Sequence, residues 1–141
     1  MIKVKKLDSN AVLPQYAHPG DAGMDFYANE EIVVKGGERS LVHTGISVAI
    51  PEGYVGLFWE KSGLAMNHGI RTMAGVIDAG YRGEIKILLR NTSSDDFKVE
   101  KGMKIAQLLI QPVESKRVVE VEELDETARG EGGFGSTGLR D

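Results

Sequence analysis

Apolar and polar positions alternate with period two over short stretches of this chain, and no stretch of useful length repeats with the period of an amphipathic helix. Ile2–Leu7 sets Ile2 and Val4 against Lys3 and Lys5, which describes a short strand with one apolar face. Glu31–Val34 and Ser40–Ile50 read as strands, the second with Ile46, Val48 and Ile50 on one side. After the turn Pro51-Glu52-Gly53, the apolar run Tyr54–Trp59 is expected to be buried on both sides. Phe97–Val99, Ile105–Gln111 and Val118–Val121 are three further short strands. Leu13–Ala28 is expected to be loop, because Pro14, Pro19, Gly20 and Gly23 interrupt it. Only Ser62–Asn67 allows a helical turn or two. Short strands separated by regular turn signals predict an all-β fold, a jelly-roll-like β-barrel.

The stretch Gly75–Asn91, GVIDAGYRGEIKILLRN, organises the rest. Its glycines and the alternation of Ile85, Ile87 and Leu89 predict a β-hairpin. Gly75–Asp78 would rise, Tyr81–Leu89 would fall, and Ala79-Gly80 would lie near the tip. A carboxylate, a phenol and a guanidinium (Asp78, Tyr81, Arg82) then surround one tight turn. Taken alone, such a turn reads first as a solvated turn that happens to be polar. Other clusters shift that balance. In WEKSG (Trp59–Gly63), Ser62 and Gly63 could present a hydroxyl and free amides to a phosphate beside Lys61; an ordinary strand-end turn is the alternative. In AGMDFYA, Asp25 follows a glycine turn, either as an aimed carboxylate or as part of an Asx-type turn leading into a strand. In KGMKIAQL, Gln107 interrupts an apolar run, either as a satisfied edge residue or as an aimed amide.

Composition narrows the chemistry. At 141 residues the chain can bury a core without metal or disulfide help. It has no cysteine, which excludes a disulfide framework, thiol catalysis and thiolate zinc sites and fits a reducing, cytoplasmic setting. Met1–Asn10 carries lysines but no apolar run of signal-peptide length, and nothing approaches the roughly 20 apolar residues of a membrane span. A net charge of −4 carries no bias toward nucleic acid, so a phosphate ligand must be held by local amides and a few placed cations. From Glu122 an acidic run leads into RGEGGFGSTG (Arg129–Gly138), with almost no apolar content. The division expected is a barrel domain over 1–124 and a flexible, glycine-rich C-terminal arm over 125–141. Gly130, Gly135, Ser136 and Thr137 look like a phosphate-binding P-loop, but Ser136 stands where lysine is required. His18, His43 and His68 lie in different segments without metal-like spacing and read as incidental.

In order, AGMDFYA, EKSGLA, GVIDAGYRGEI, GMKIAQL and RGEGGFGSTG resemble the five motifs of the homotrimeric dUTP diphosphatases, from about Ala22 to Gly138. The resemblance implies hydrolysis of dUTP to dUMP and diphosphate with Mg2+, which keeps uracil out of DNA and supplies dUMP for thymidylate synthesis. It implies Asp25 as a magnesium residue acting through water, and Lys61, Ser62 and Gly63 as phosphate residues. Asp78 would be the general base, and Gln107 would serve the phosphate and water region. Gly75, Ile77 and Lys86 belong to the hairpin whose backbone reads the uracil edge, with Tyr81 under the deoxyribose. The arm, donated by a neighbouring subunit of a homotrimer with shared active sites, would bring Phe134 over the base. Arg129, Gly135, Ser136 and Thr137 would close on the phosphates. One departure stands out: Glu60-Lys61 replaces the Pro-Arg usual in the second motif, keeping a charge but losing a guanidinium fork. A dCTP deaminase is disfavoured because its catalytic glutamate would fall at Leu88. A non-catalytic nucleotide-binding protein has no evident use for the anion at Asp78.

Overall fold

The computed structural model of the chain describes Met1–Gly138, so the end of the expected arm, residues 139–141, lies outside the described residues. Eleven strands and one short helix follow one another: β1 (Lys3–Lys6), β2 (Gly23–Tyr27), β3 (Ile32–Val34), β4 (Arg39–His43), β5 (Ile46–Ala49), β6 (Tyr54–Trp59), α1 (Ser62–His68), β7 (Ile70–Met73), β8 (Val76–Ile77), β9 (Lys86–Asn91), β10 (Phe97–Val99) and β11 (Lys104–Pro112). Every pairing is antiparallel. The two larger sheets run β2-β11-β6-β8 and β4-β9-β7, and two-stranded pieces, β1-β5 and β10-β3, complete a jelly-roll-like enclosure. Inside it, Phe26, Phe58 and Leu108 from the first sheet and Val42, Ile87 and Leu89 from the second share one apolar core with Ile46, Val48 and Ile70. Phe26 and Phe58 meet edge to face, with ring centroids 4.9 Å apart.

Several elements differ from the sequence pattern, each for a physical reason. Gly23–Tyr27 is a fully buried strand rather than the end of a loop; burial on both faces removes the alternation by which a strand is recognised. Ser40–Ile50 is two strands, broken at Gly45, whose φ is +66°. In Tyr54–Trp59 burial alternates instead of being two-sided, because one face of β6 looks into open recesses. Val118–Val121 forms no strand; chain pairing ends with Pro112 of β11, and Val118 is almost wholly exposed.

The largest difference concerns the expected hairpin. Its arms do not pair with each other. Val76 and Ile77 pair with Leu57 and Gly56 of β6, whereas β9 pairs with β4 and β7 in the other sheet. The turn from Asp78 to Gly83 therefore spans two sheets. The crossing between them begins at Ala74–Gly75, both with positive φ, +58° and +98°. Gly75 accepts a hydrogen bond from Phe58 N at 2.8 Å, and a Cβ there would lie 3.1 Å from Phe58 Cβ. Gly75→Ala combines a backbone conformation hostile to L side chains with that close approach. It should cost about 1–3 kcal/mol of stability in urea unfolding at fixed protein concentration.

Candidate active site

The register of the first sheet builds half of the site. Asp25 of β2 is paired with Gln107 of β11, which is paired with Trp59 of β6, so the three side chains form one row on the face turned away from the core. β11 is a central strand, which removes the edge explanation for Gln107. Its amide Nε2 donates to Glu60 O at 3.1 Å. It lies over Gly23, where a Cβ would stand only 2.6 Å from Gln107 Oε1. Immediately after β6, α1 starts with Lys61 as its N-cap residue and no side-chain cap. The first helical bond runs from Ala65 N to Lys61 O, so the amides of Ser62 and Gly63 have no intrahelical acceptor. A recess of about 370 Å³ lies here, bounded by Ala22, Trp59, Glu60, Ser62 and Gln107.

Asp25 is 2% exposed and carries a charge that burial alone would suppress. Lys61 Nζ donates to its Oδ1. Lys104 Nζ lies 2.8 Å from Oδ2, so each oxygen of the carboxylate faces an ammonium group. Burial works to raise the Asp25 pKa, and the two ammonium groups outweigh it, holding the carboxyl below its usual range. The same pairing raises the pKa of Lys104. Lys104 was not singled out from sequence because strict alternation places it with Ala106 and Leu108 on the core face. A β-bulge between Lys104 and Ala106 shifts the phase and turns it toward Asp25. Glu60, at the departure from the usual motif, is occupied by Arg71 (Nε to Oε1, 3.0 Å) and by Thr72 (Oγ1 to Oε2, 3.2 Å).

Asp78 and Tyr81 form the other half. Both are exposed and line a recess of about 230 Å³ together with Ile77, Glu84 and Lys86. Asp78 O accepts from Tyr81 N at 3.1 Å, closing the turn, and Tyr81 Oη donates to Glu84 O at 2.8 Å. Arg82 turns back on its own loop: its Nη1 donates to Ala79 O at 2.6 Å and Tyr81 O at 2.8 Å, bracing the turn. His43, read as incidental, lies with Nδ1 2.9 Å from Glu84 Oε2. No sequence pattern links those two residues; only the closed fold joins them.

The two halves do not meet within one chain. β8 joins β6 at its Tyr54 end, with Ile77 opposite Gly56, whereas Ser62, Gln107 and Asp25 gather at the Trp59 end. That separation is roughly 10 Å along β6 at the usual ~3.3 Å rise. The arm residues also stand apart. Arg129 Nε donates to Gly132 O at 2.7 Å, Phe134 has a φ of +46° and a fully exposed ring, and Gly135, Ser136 and Thr137 lie in exposed turns. Among the described residues, no three His, Asp or Glu side chains come together as a metal cage, and no helix is long and apolar enough to cross a membrane.

An all-β, jelly-roll-like enclosure with these two groups of polar residues defines a class, and comparison with known proteins places the chain within it. A dUTPase family model matches residues 9–138. A deoxyuridine 5'-triphosphate nucleotidohydrolase of Clostridium acetobutylicum is 51% identical over 141 residues, covering 99% of this chain and 97% of that one. One from Syntrophotalea carbinolica is 53% identical over 142 residues, covering 98% and 97%. Among solved structures, the dUTPase of Staphylococcus bacteriophage 80alpha with dUpNHpp superposes with a TM-score of 0.93 at 33% identity, covering 99% of both chains. A mutant dUTPase from phage phi11 of S. aureus, described with a structural Mg(II) ion, gives 0.82 at 30% identity, covering 87% of this chain and 97% of that one. The chain belongs to the dUTPase family.

The charge state of Asp25 yields a pH test. A carboxyl with a lowered folded pKa stabilises the fold fully above its unfolded value near 3.9 and loses that contribution as pH falls through the folded value. Asp25→Asn should therefore cost about 1–3 kcal/mol at pH 7, where two lysines lose their anion. Denaturant unfolding should show the gap to wild type narrowing below about pH 4. An equal gap at pH 7 and pH 3 would refute the charged role.

Proposed function

We propose that the chain hydrolyses dUTP to dUMP and diphosphate in a homotrimer whose copies share their active sites. The observation that carries this reading is the separation of Asp78 and Tyr81 from Asp25, Gln107 and Ser62. A general base must lie within hydrogen-bond reach of the water it activates, directly or through one further water. Half-sites at opposite ends of β6 meet that requirement when one copy's turn faces another copy's Asp25 row. The division into a barrel over 1–124 and an arm over 125–141 belongs to the same proposal, with the arm closing a neighbour's site in a cytoplasmic enzyme.

In this reading Gly75 and Ile77 offer backbone groups to the uracil edge, and Lys86 flanks the recess. The Tyr81 ring lies under the deoxyribose, where a 2′-hydroxyl would have no room. Ser62 Oγ and the Ser62 and Gly63 amides hold the phosphate chain. Lys61 exchanges Asp25 for a phosphate oxygen, as a point charge rather than a fork. Gln107 aligns the attacking water, and Asp78 takes its proton as the water oxygen bonds to the α-phosphorus. The bond to the bridging oxygen then breaks and the diphosphate leaves with those electrons. Arg129, Gly135, Ser136 and Thr137 supply donors for the charge that develops, and Phe134 covers the base and excludes water.

The residues fit magnesium held mainly by the substrate. Mg2+ keeps several waters and uses one or two carboxylates with phosphate oxygens, and Asp25 is a buried carboxylate that Lys61 and Lys104 keep ionised in one row with Gln107. When bound, the ion neutralises triphosphate charge and orients the leaving diphosphate.

Asp78→Asn should still bind the analogue dUpNHpp while turnover falls by about 100-fold or more, measured as diphosphate release. Retention of over about a tenth of wild-type turnover is incompatible with Asp78 as the base. Mixing Asp78→Asn chains with chains truncated before Arg129 should restore part of the activity that neither has alone. Full activity in a sedimenting monomer would end the shared-site reading.

A further inference from the structure

Since the turn from Asp78 to Gly83 lies between two sheets, no hairpin ladder fixes Tyr81. Its position comes from another part of the fold. The Tyr81 ring folds back over Gly83, where a Cβ would fall 2.4 Å from Oη, and its hydroxyl donates to Glu84 O. The Glu84 side chain points the other way, onto the corner between β4 and β5. Oε1 accepts from Gly45 N at 2.9 Å, and Oε2 lies 2.9 Å from His43 Nδ1. That corner has little freedom. A Cβ at Gly45 would meet Asn29 Nδ2 at 2.8 Å and Ala11 Cβ at 2.9 Å, and Glu30 Oε1 accepts from His43 N at 2.7 Å. The titratable groups around Glu84 are His43, Lys86 and, behind His43, Glu30. Burial works to raise the Glu84 pKa, but His43, the Gly45 amide and Lys86 hold it below its usual range, so the clamp is anionic at neutral pH.

We infer that Glu84 is a positioning and specificity-determining residue. Its carboxylate grips the β4–β5 corner while its carbonyl receives the Tyr81 hydroxyl, and this link sets how strictly the sugar pocket rejects a 2′-hydroxyl. The inference rests on the proposed placement of Tyr81 under the deoxyribose. It predicts an effect on sugar selection and KM more than on kcat, because both carboxylate oxygens of Glu84 are engaged by the β4–β5 corner, at Gly45 N and His43 Nδ1.

The test compares kcat/KM for dUTP and UTP in full-length wild type, Glu84→Ala, Glu84→Gln, His43→Ala, Tyr81→Phe and the double variant Tyr81→Phe/Glu84→Ala. Glu84→Ala should lower the dUTP preference about tenfold, mainly through KM, since a displaced positioning group costs this order of effect. Glu84→Gln, which keeps an oxygen for Gly45 N–H, should retain most of the preference, and His43→Ala should fall between. Adding Glu84→Ala to Tyr81→Phe should change the preference no further. An unchanged preference in Glu84→Ala, or losses that multiply in the double variant, would overturn the inference. Should Glu84→Ala fail to fold, the ordering of Glu84→Gln and His43→Ala decides: a preference equal to wild type in both overturns it. A wild type that accepts UTP as readily as dUTP would instead remove the sugar role of Tyr81, and the inference with it.

Discussion

A buried carboxylate stays ionised only beside cations, and Asp25 meets that constraint with two lysines that reach it by different routes. Lys61 arrives because β6 ends at Trp59 and α1 begins directly after it, with Lys61 at the cap. Lys104 arrives because β11 carries a bulge that changes which face its first residue presents. Both devices act at one end of the sheet: the helix start leaves the Ser62 and Gly63 amides without intrahelical acceptors, and the strand after the bulge brings Gln107 into the row with Asp25. Three strands and a helix cap are thus coordinated by one charge.

The turn from Asp78 to Gly83 follows a different logic. There, backbone bonds and short polar side chains join the descending segment to the β4–β5 corner. Ser47 Oγ donates to Arg82 O at 2.7 Å, Thr44 Oγ1 to Ile85 O at 2.6 Å, and Ile85 N to Ile46 O at 2.7 Å. Thr44 is 1% exposed and Ile85 wholly buried, so this seam is shielded from competing water. The turn is thus held at its base and exposed at its tip.

Much of this was legible in the chain. Alternation located most strands, and the departure at Glu60-Lys61 was visible as such; the glycine-bounded motifs drew attention to Asp25, Ser62, Asp78, Tyr81 and Gln107, which the fold gathers into two groups. What sequence left hidden was long-range. Period-two reasoning fails where a strand is buried on both faces, as in Gly23–Tyr27, and where a bulge resets the phase, as at Lys104. Ile70–Met73 went unrecognised because it is short and follows the helix directly, through Gly69 in a left-handed conformation. The expected hairpin failed for a related reason: a turn signal reports that the chain reverses, not that its two arms pair. Glu84 and His43 carry no local signal, since their partnership depends on where two sheets close.

Gly23 and Gln107 illustrate how closely two distant motifs are tied. The missing Cβ of Gly23 is the space in which the Gln107 side chain lies, so the smallest possible enlargement at one position displaces the amide at the other. A methyl group at Gly23 would therefore be felt first at Gln107, more than eighty residues away in the chain, as a swing of its amide off Glu60 O.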